Sequence, residues 1–274
     1  MKGGRTMMAL EALAAQGLAV FALLTFGTLL LAYGAGVMIG RWHQARTEET
    51  IEATSFVTNG LLGLLAFTMG LTIAMAQGRF ETRRATTLAE TNAIGTAWLR
   101  AGAFDHPRAA EIARLLEDYT RLRLEFVEAP MRSTEVARLS AATNHLQNVI
   151  WGHAAAITRE RQDPLSAALQ AALNDVLDQG SAQRWAFAAP IPAELLLFLM
   201  GLAVLTIATI GYQFGLKRLG APMLAILLVA VWTGAMILVI DLAAARFGAV
   251  RPDSAPYYWT LQGFQGGVVI PPPP

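Results

Sequence analysis

The chain has 274 residues, of which 54% are hydrophobic and 15% charged, against about 25% charged in an ordinary soluble domain. That balance excludes a disordered tail and moves the protein toward the membrane class. A formal net charge of +1 leaves no global footprint for a nucleic-acid partner, and the absence of cysteine excludes disulfides, thiolate nucleophiles and Cys-based metal sites.

A bilayer core needs about 20 apolar residues as a helix, and four stretches qualify. They run from about Gly17 to Gly40, Phe56 to Ala76, Ala193 to Leu216 and Pro222 to Leu242. None has an ionisable residue near its centre; Glu194 and Asp241 lie at ends. Lys2 and Arg5 precede the first stretch as in a secretory signal, but the run exceeds the roughly 7–15 apolar residues of a signal core. An uncleaved first span is expected.

Residues 77–192 hold thirteen arginines and thirteen acidic residues, a neutral sum that reads as an ion-paired, solvated domain. Its periodicity is helical. Ile112, Leu115, Leu116, Tyr119, Leu122 and Phe126 recur at three- and four-residue steps, between a starting Pro107 and a terminating Pro130. A second helix fits Thr134 to Arg161. Asp163-Pro164 reads as N-cap and first helical position of a third, which runs to about Ala188 before Pro190-Ile191-Pro192. The expected fold is therefore an all-α membrane protein with four transmembrane helices and a helical insertion between the second and third. Its parts are a transmembrane pair (1–76), the insertion (77–192), a second pair (193–243) and a flexible tail (244–274).

With four spans, both termini and the insertion share one side. Near the span ends that side carries eight basic residues (Lys2, Arg5, Arg79, Arg83, Arg84, Arg184, Arg246 and Arg251), and the other side four (Arg41, Arg46, Lys217 and Arg218). The positive-inside rule places the insertion and both termini in the cytoplasm.

The second span is the informative one. At about 100° per residue, Asn59, Gly63, Ala66, Gly70 and Gln77 fall in one narrow sector, with Ile73 at its edge, and Arg84 extends it. Such a small, polar stripe suits close helix packing in lipid or the wall of a conduit; these are the pore-lining candidates. The cluster that follows, Arg79-Phe80-Glu81-Thr82-Arg83-Arg84, can hold lipid phosphates, pair with carboxylates or gather anions at a pore mouth. Arg79, Arg83 and Arg84 are the anion-access candidates, with Glu81 able to pair with Arg84 at i,i+3.

The segment from Gly63 through Gly78-Arg79-Phe80-Glu81-Thr82-Arg83-Arg84, followed by Glu90-Thr91-Asn92-Ala93-Ile94-Gly95-Thr96-Ala97-Trp98-Leu99-Arg100, resembles the bacterial bestrophin-like family. The order of two spans, a helical insertion and a proline-led second pair matches as well, over about residues 55–250. True bestrophins, pentameric anion channels with some bacterial members conducting cations, are similar more distantly, through the Arg79-Phe80-Glu81-Thr82-Arg83 segment. That resemblance implies a pentameric anion channel in a bacterial inner membrane, with inorganic ions and the lipid bilayer as its partners and a pore lined by the second span. The acidic calcium clasp of animal bestrophins has no counterpart, and the family's Leu-Asp-Arg-Pro ending of span four is altered after Asp241, so calcium gating is not carried over. In helical form, Glu90 and Asn92 can accept hydrogen bonds from Arg83 or Arg84, Gly95 allows a close helix contact and Trp98 anchors; Glu90, Asn92, Gly95, Trp98 and Arg100 form a structural motif.

Enzyme chemistry finds no foothold. His43, His106, His145 and His153 form no metal-spaced pair, Glu117-Asp118 are adjacent on a helix and do not face each other, and no nucleophile elbow or phosphate loop occurs. No catalytic residue, metal or cofactor is expected. The expectation is an oligomeric ion channel; the alternative is a non-conducting membrane scaffold whose insertion binds a protein partner.

Overall fold

The computed structural model describes residues 17–43, 48–129, 133–189, 191–219, 222–246, 250–269 and 271. Among them there are no strands and eight helices: α1 (Leu18–His43), α2 (Glu48–Gly102), α3 (Pro107–Glu128), α4 (Ser133–Glu160), α5 (Pro164–Ala188), α6 (Ala193–Leu216), α7 (Pro222–Ala243) and α8 (Ala255–Gln265). Apolar stretches long enough to cross a membrane lie in α1, α2, α6 and α7. The second span has no break at its end, because α2 continues as one 55-residue helix. The chain divides into two compact units, Met1–Gly78 with Pro190–Val250 and Arg79–Ala189 with Arg251–Pro274.

In the first unit α1 packs against α6 and α7. Gly36 and Gly40 on α1 meet Gly211 and Gly215 on α6. A Cβ on Gly36 would strike the Ala208 carbonyl, and one on Gly40 that of Tyr212; Gly211 and Gly215 lie as close to the Tyr33 and Val37 carbonyls. Small residues four apart on both helices let the backbones touch where lipid offers no hydrophobic drive. The pairs Tyr33–Gly211 and Val37–Gly215 advance together, so α1 and α6 run in the same direction, as spans one and three of a four-span chain must. Three hydroxyls inside the spans are satisfied locally, Thr68 donating to the Leu64 carbonyl at 2.7 Å, Thr72 to Thr68 at 2.7 Å and Thr206 to Leu202 at 2.7 Å, whereas Thr233 Oγ1 in α7 is buried without a partner among the described residues. A bare hydroxyl in hydrocarbon would cost several kcal/mol.

In the second unit the helix starts follow the local chemistry. Pro107 opens α3 behind His106, whose Nδ1 accepts the Arg108 N–H at 3.1 Å. Asp163 and Ser166 form a reciprocal capping box at the head of α5, with Pro164 in its first turn. The stripe that includes Ile112, Leu115, Leu116, Tyr119 and Phe126 is buried. α3 packs on α4 and α8, and α4 on α5.

The expected flexible tail needs correction. Residues 255–265 are α8, with Tyr257 fully buried and Phe264 at 8% exposure. Their apolar and aromatic side chains complete the core of the second unit, and residues 251–274 group with that unit.

Candidate functional site

Within the first unit α2 buries Leu65, Thr68, Met69, Thr72 and Ala76. Asn59, Gly63, Ala66, Gly70 and Gln77 lie on another face and are all exposed in the single chain. A Cβ added at Gly63 or Gly70 would meet nothing within 4 Å, so packing inside this chain does not require those glycines. Beside the stripe Leu64, Phe67 and Leu71 are also exposed, which gives α2 a small-polar sector and a separate large-apolar one.

The structure divides the three arginines after the span. Arg79 Nη1 donates to the Ala189 carbonyl at 2.9 Å, which caps the end of α5. Arg83 is 1% exposed. Arg84 is about half exposed, 3.4 Å from Glu81 and 5.9 Å from the Phe80 ring centroid. Of the three, Arg84 alone stands open to solvent in the single chain.

Further along α2, the second unit encloses a polar cluster that sequence reasoning only half saw. Glu90 Oε1 accepts from Arg123 Nε at 2.7 Å and from Tyr119 Oη at 2.9 Å. Its Oε2 accepts from Tyr257 Oη at 2.5 Å and Arg123 Nη2 at 3.2 Å. Gln183 accepts from Arg123 Nη2 and donates through Nε2 to Tyr257 Oη at 2.6 Å and Thr87 Oγ1 at 3.1 Å. Glu90, Arg123, Tyr119, Tyr257, Gln183 and Thr87 are all fully buried. Burial pushes both phenols above their ordinary value of 10, and the Glu90 charge pushes the same way. Burial is the largest influence on Arg123 and would lower it, but Glu90 together with Tyr257 and Tyr119 outweighs it and the guanidinium is held more firmly protonated. Two opposite charges survive in the buried core because they pair with each other and every carboxylate lone pair has a donor.

This geometry revises the reading of the 90–100 motif. Glu90 bonds Arg123 and two tyrosines, and neither Arg83 nor Arg84 is among its partners; on α2 it sits two turns past Arg83 and faces α3. Asn92 is exposed. Gly95 provides no close contact, since an added Cβ would have open space. The approach is made instead by Gly180, whose Cβ would lie 2.5 Å from Tyr119 Oη and 3.0 Å from Glu90 Oε1. Trp98 does anchor: its ring lies 4.9 Å from that of Phe264, and its Nε1 donates to Glu117 at 3.4 Å. Arg100 Nη1 donates to the Ala168 carbonyl at 2.7 Å.

The missed partner left a signal. Arg123 stands four residues after Tyr119 and three before Phe126, on the core face of α3, where an arginine demands a buried acid. Tyr257 lay in a segment read as tail. Among the described residues no group of three or more His, Asp or Glu side chains gathers to hold a metal.

The Bestrophin-like domain family matches residues 19–245. No curated protein matches the chain. Among solved structures it is similar to a bacterial bestrophin homolog from Klebsiella pneumoniae, with 14% identity, 90% of this chain and 98% of that one covered, and a TM-score of 0.61. Two single-substitution variants of that homolog align with TM-scores of 0.62 and 0.64, also at 14% identity, over 88% and 90% of this chain and 96% of theirs. At that identity the likeness speaks for the fold. With a family match across most of its length and, among the described residues, four helices long and apolar enough to cross a membrane, the chain belongs to the Bestrophin-like family of membrane proteins.

Proposed function

We propose that this protein is the subunit of an oligomeric ion channel, a homopentamer in a bacterial inner membrane, that passes small anions along the stripe of α2. The observation that carries the reading is the exposure of Asn59, Gly63, Ala66, Gly70 and Gln77. Glycines that no neighbour in the chain crowds serve a surface completed by other copies, and a small, polar surface suits water and ions. The four-against-eight basic asymmetry supports a cytoplasmic insertion and cytoplasmic termini. Arg84 then stands at the cytoplasmic mouth. A guanidinium about 7 Å from an ion contributes roughly 2–2.5 kcal/mol at an effective dielectric of about 20. Glu81, itself half exposed, screens only part of this, and several copies around an axis add.

Reversal potentials in planar bilayers test the reading. Arg84→Ala should leave the oligomer intact and lower the chloride-to-sodium permeability ratio several-fold. An unchanged ratio in a folded oligomer removes Arg84 from the mechanism. A pure oligomer with no ion flux in liposomes favours the scaffold alternative. A strictly monomeric particle in nanodiscs refutes both the oligomer and the conduit.

A further inference from the structure

The buried cluster is closed by a helix that follows the fourth span, and the geometry points to a conformational role for it: we infer that α8 is a releasable latch over the Glu90–Arg123 pair, whose docking sets the state of α2. The link to conduction rests on the channel reading above; the link from α8 to α2 does not.

Three features of α8 support this. It is 11 residues long, below the roughly 12–15 at which a helix holds its shape alone, so its order depends on docking. Few side chains dock it. Tyr257 enters the cluster, Phe264 meets Trp98, and Ser254 and Tyr258 donate to Glu128 at 2.8 and 3.0 Å, while Trp259, Gln262, Gly263 and Gln265 remain exposed. The docked state also carries a cost: Arg123 Nη1 is buried and has no hydrogen-bond partner among the described residues. Release would admit water to that donor while removing the Tyr257 hydroxyl from Glu90 Oε2 and Gln183 Nε2. Loss and gain oppose each other, the condition for two accessible states.

The path to either end is covalent or hydrogen-bonded. Val250 N–H donates to Asp241 Oδ1 at 3.4 Å at the end of α7, and α8 begins five residues later. Glu90 and Thr87, which Tyr257 and Gln183 engage, belong to the same unbroken α2 that carries the stripe. A displacement of α8 is thereby felt in the helix that borders the proposed conduit.

The cysteine-free sequence permits a reversible lock. A Cβ on Gly102 would lie 3.5 Å from the Cβ of Val268, which follows α8, within the span of a disulfide. The experiment compares wild type, Tyr257→Phe and the double variant Gly102→Cys/Val268→Cys, oxidised and reduced, by amide hydrogen exchange and by chloride flux in liposomes. Tyr257→Phe should speed exchange about tenfold in residues 255–265 and also raise it in residues 87–102. The oxidised lock should slow both segments, and reduction should reverse it. Flux in Tyr257→Phe and in the oxidised lock should shift in opposite directions from wild type. Exchange that changes in 255–265 with no response in 87–102 overturns the latch. Flux shifts of the same sign, or none, overturn its link to the conduit. Wild-type protein without flux defeats the channel reading instead, and the exchange results still decide the latch.

Discussion

In the membrane unit, helices meet backbone against backbone; in the helical insertion they meet through side chains and, at the centre, through a buried ion pair. Gly36 and Gly40 lie against α6 with no side chain between, whereas Glu90 and Arg123 bring α2 and α3 together through six fully buried polar side chains. The difference follows from the solvent. Lipid tails are as apolar as leucine, so leucine gains nothing by leaving them, and close van der Waals contact is what binds. In water the apolar stripe of α3 supplies the drive. A core charge is tolerated there because it is paired: Glu90 has all four of its acceptor sites filled, two of them by Arg123.

Breaking each kind of contact should expose that difference. The largest effect is expected at the ion pair. Glu90→Ala leaves Arg123 charged, buried and unpaired, at a cost of about 3–5 kcal/mol, seen as a fall in the melting transition of purified protein. Combining it with Arg123→Met should recover much of the loss, because the orphaned charge is then gone. If the double variant is no more stable than Glu90→Ala, the pair is not what the cluster protects.

The membrane contact should fail next. Gly211→Leu drives a side chain into the Tyr33 backbone and should cost about 3 kcal/mol, at the upper end for overpacking, visible as loss of monodisperse protein in detergent. Gly27→Leu on α1 is the control, since its Cβ would meet nothing within 4 Å, and it should be tolerated.

Alkali separates the two regions without mutation. Below pH 10 Tyr119 and Tyr257 are protonated whether the chain is folded or not, so neither adds a pH dependence. Above pH 10 the unfolded chain releases protons that the folded core retains. Stability then falls as pH rises, by about 1.4 kcal/mol per unit for each phenol. Melting temperatures between pH 9.5 and 11.5 should drop steeply, and Tyr257→Phe should roughly halve the slope. The smallest effect belongs to the surface of the same insertion. Arg114 lies within 3 Å of both Glu111 and Asp118, but all three are solvated, so Arg114→Ala should leave the melting temperature unchanged.

Local physics made much of the fold legible in advance. Apolar run length marks a span because a bilayer has one thickness. Pro107 and Asp163-Pro164 mark helix starts because their dihedrals and caps act on neighbouring residues. The exposed stripe of α2 was readable for the same reason, since helical angle is a property of spacing. The partners of Glu90 were not. Arg123 lies 33 residues away and Tyr257 167, and nothing local distinguishes either from a surface side chain except the apolar company that Arg123 keeps. Folding also determined which glycines matter, as Gly36 and Gly211 meet backbone while Gly63, Gly70 and Gly95 meet open space. Sequence spacing assigns a residue to a face of its own helix; what that face touches depends on how distant segments come together, and closest approach and burial, the quantities that set the energies of charges and packing, exist only then.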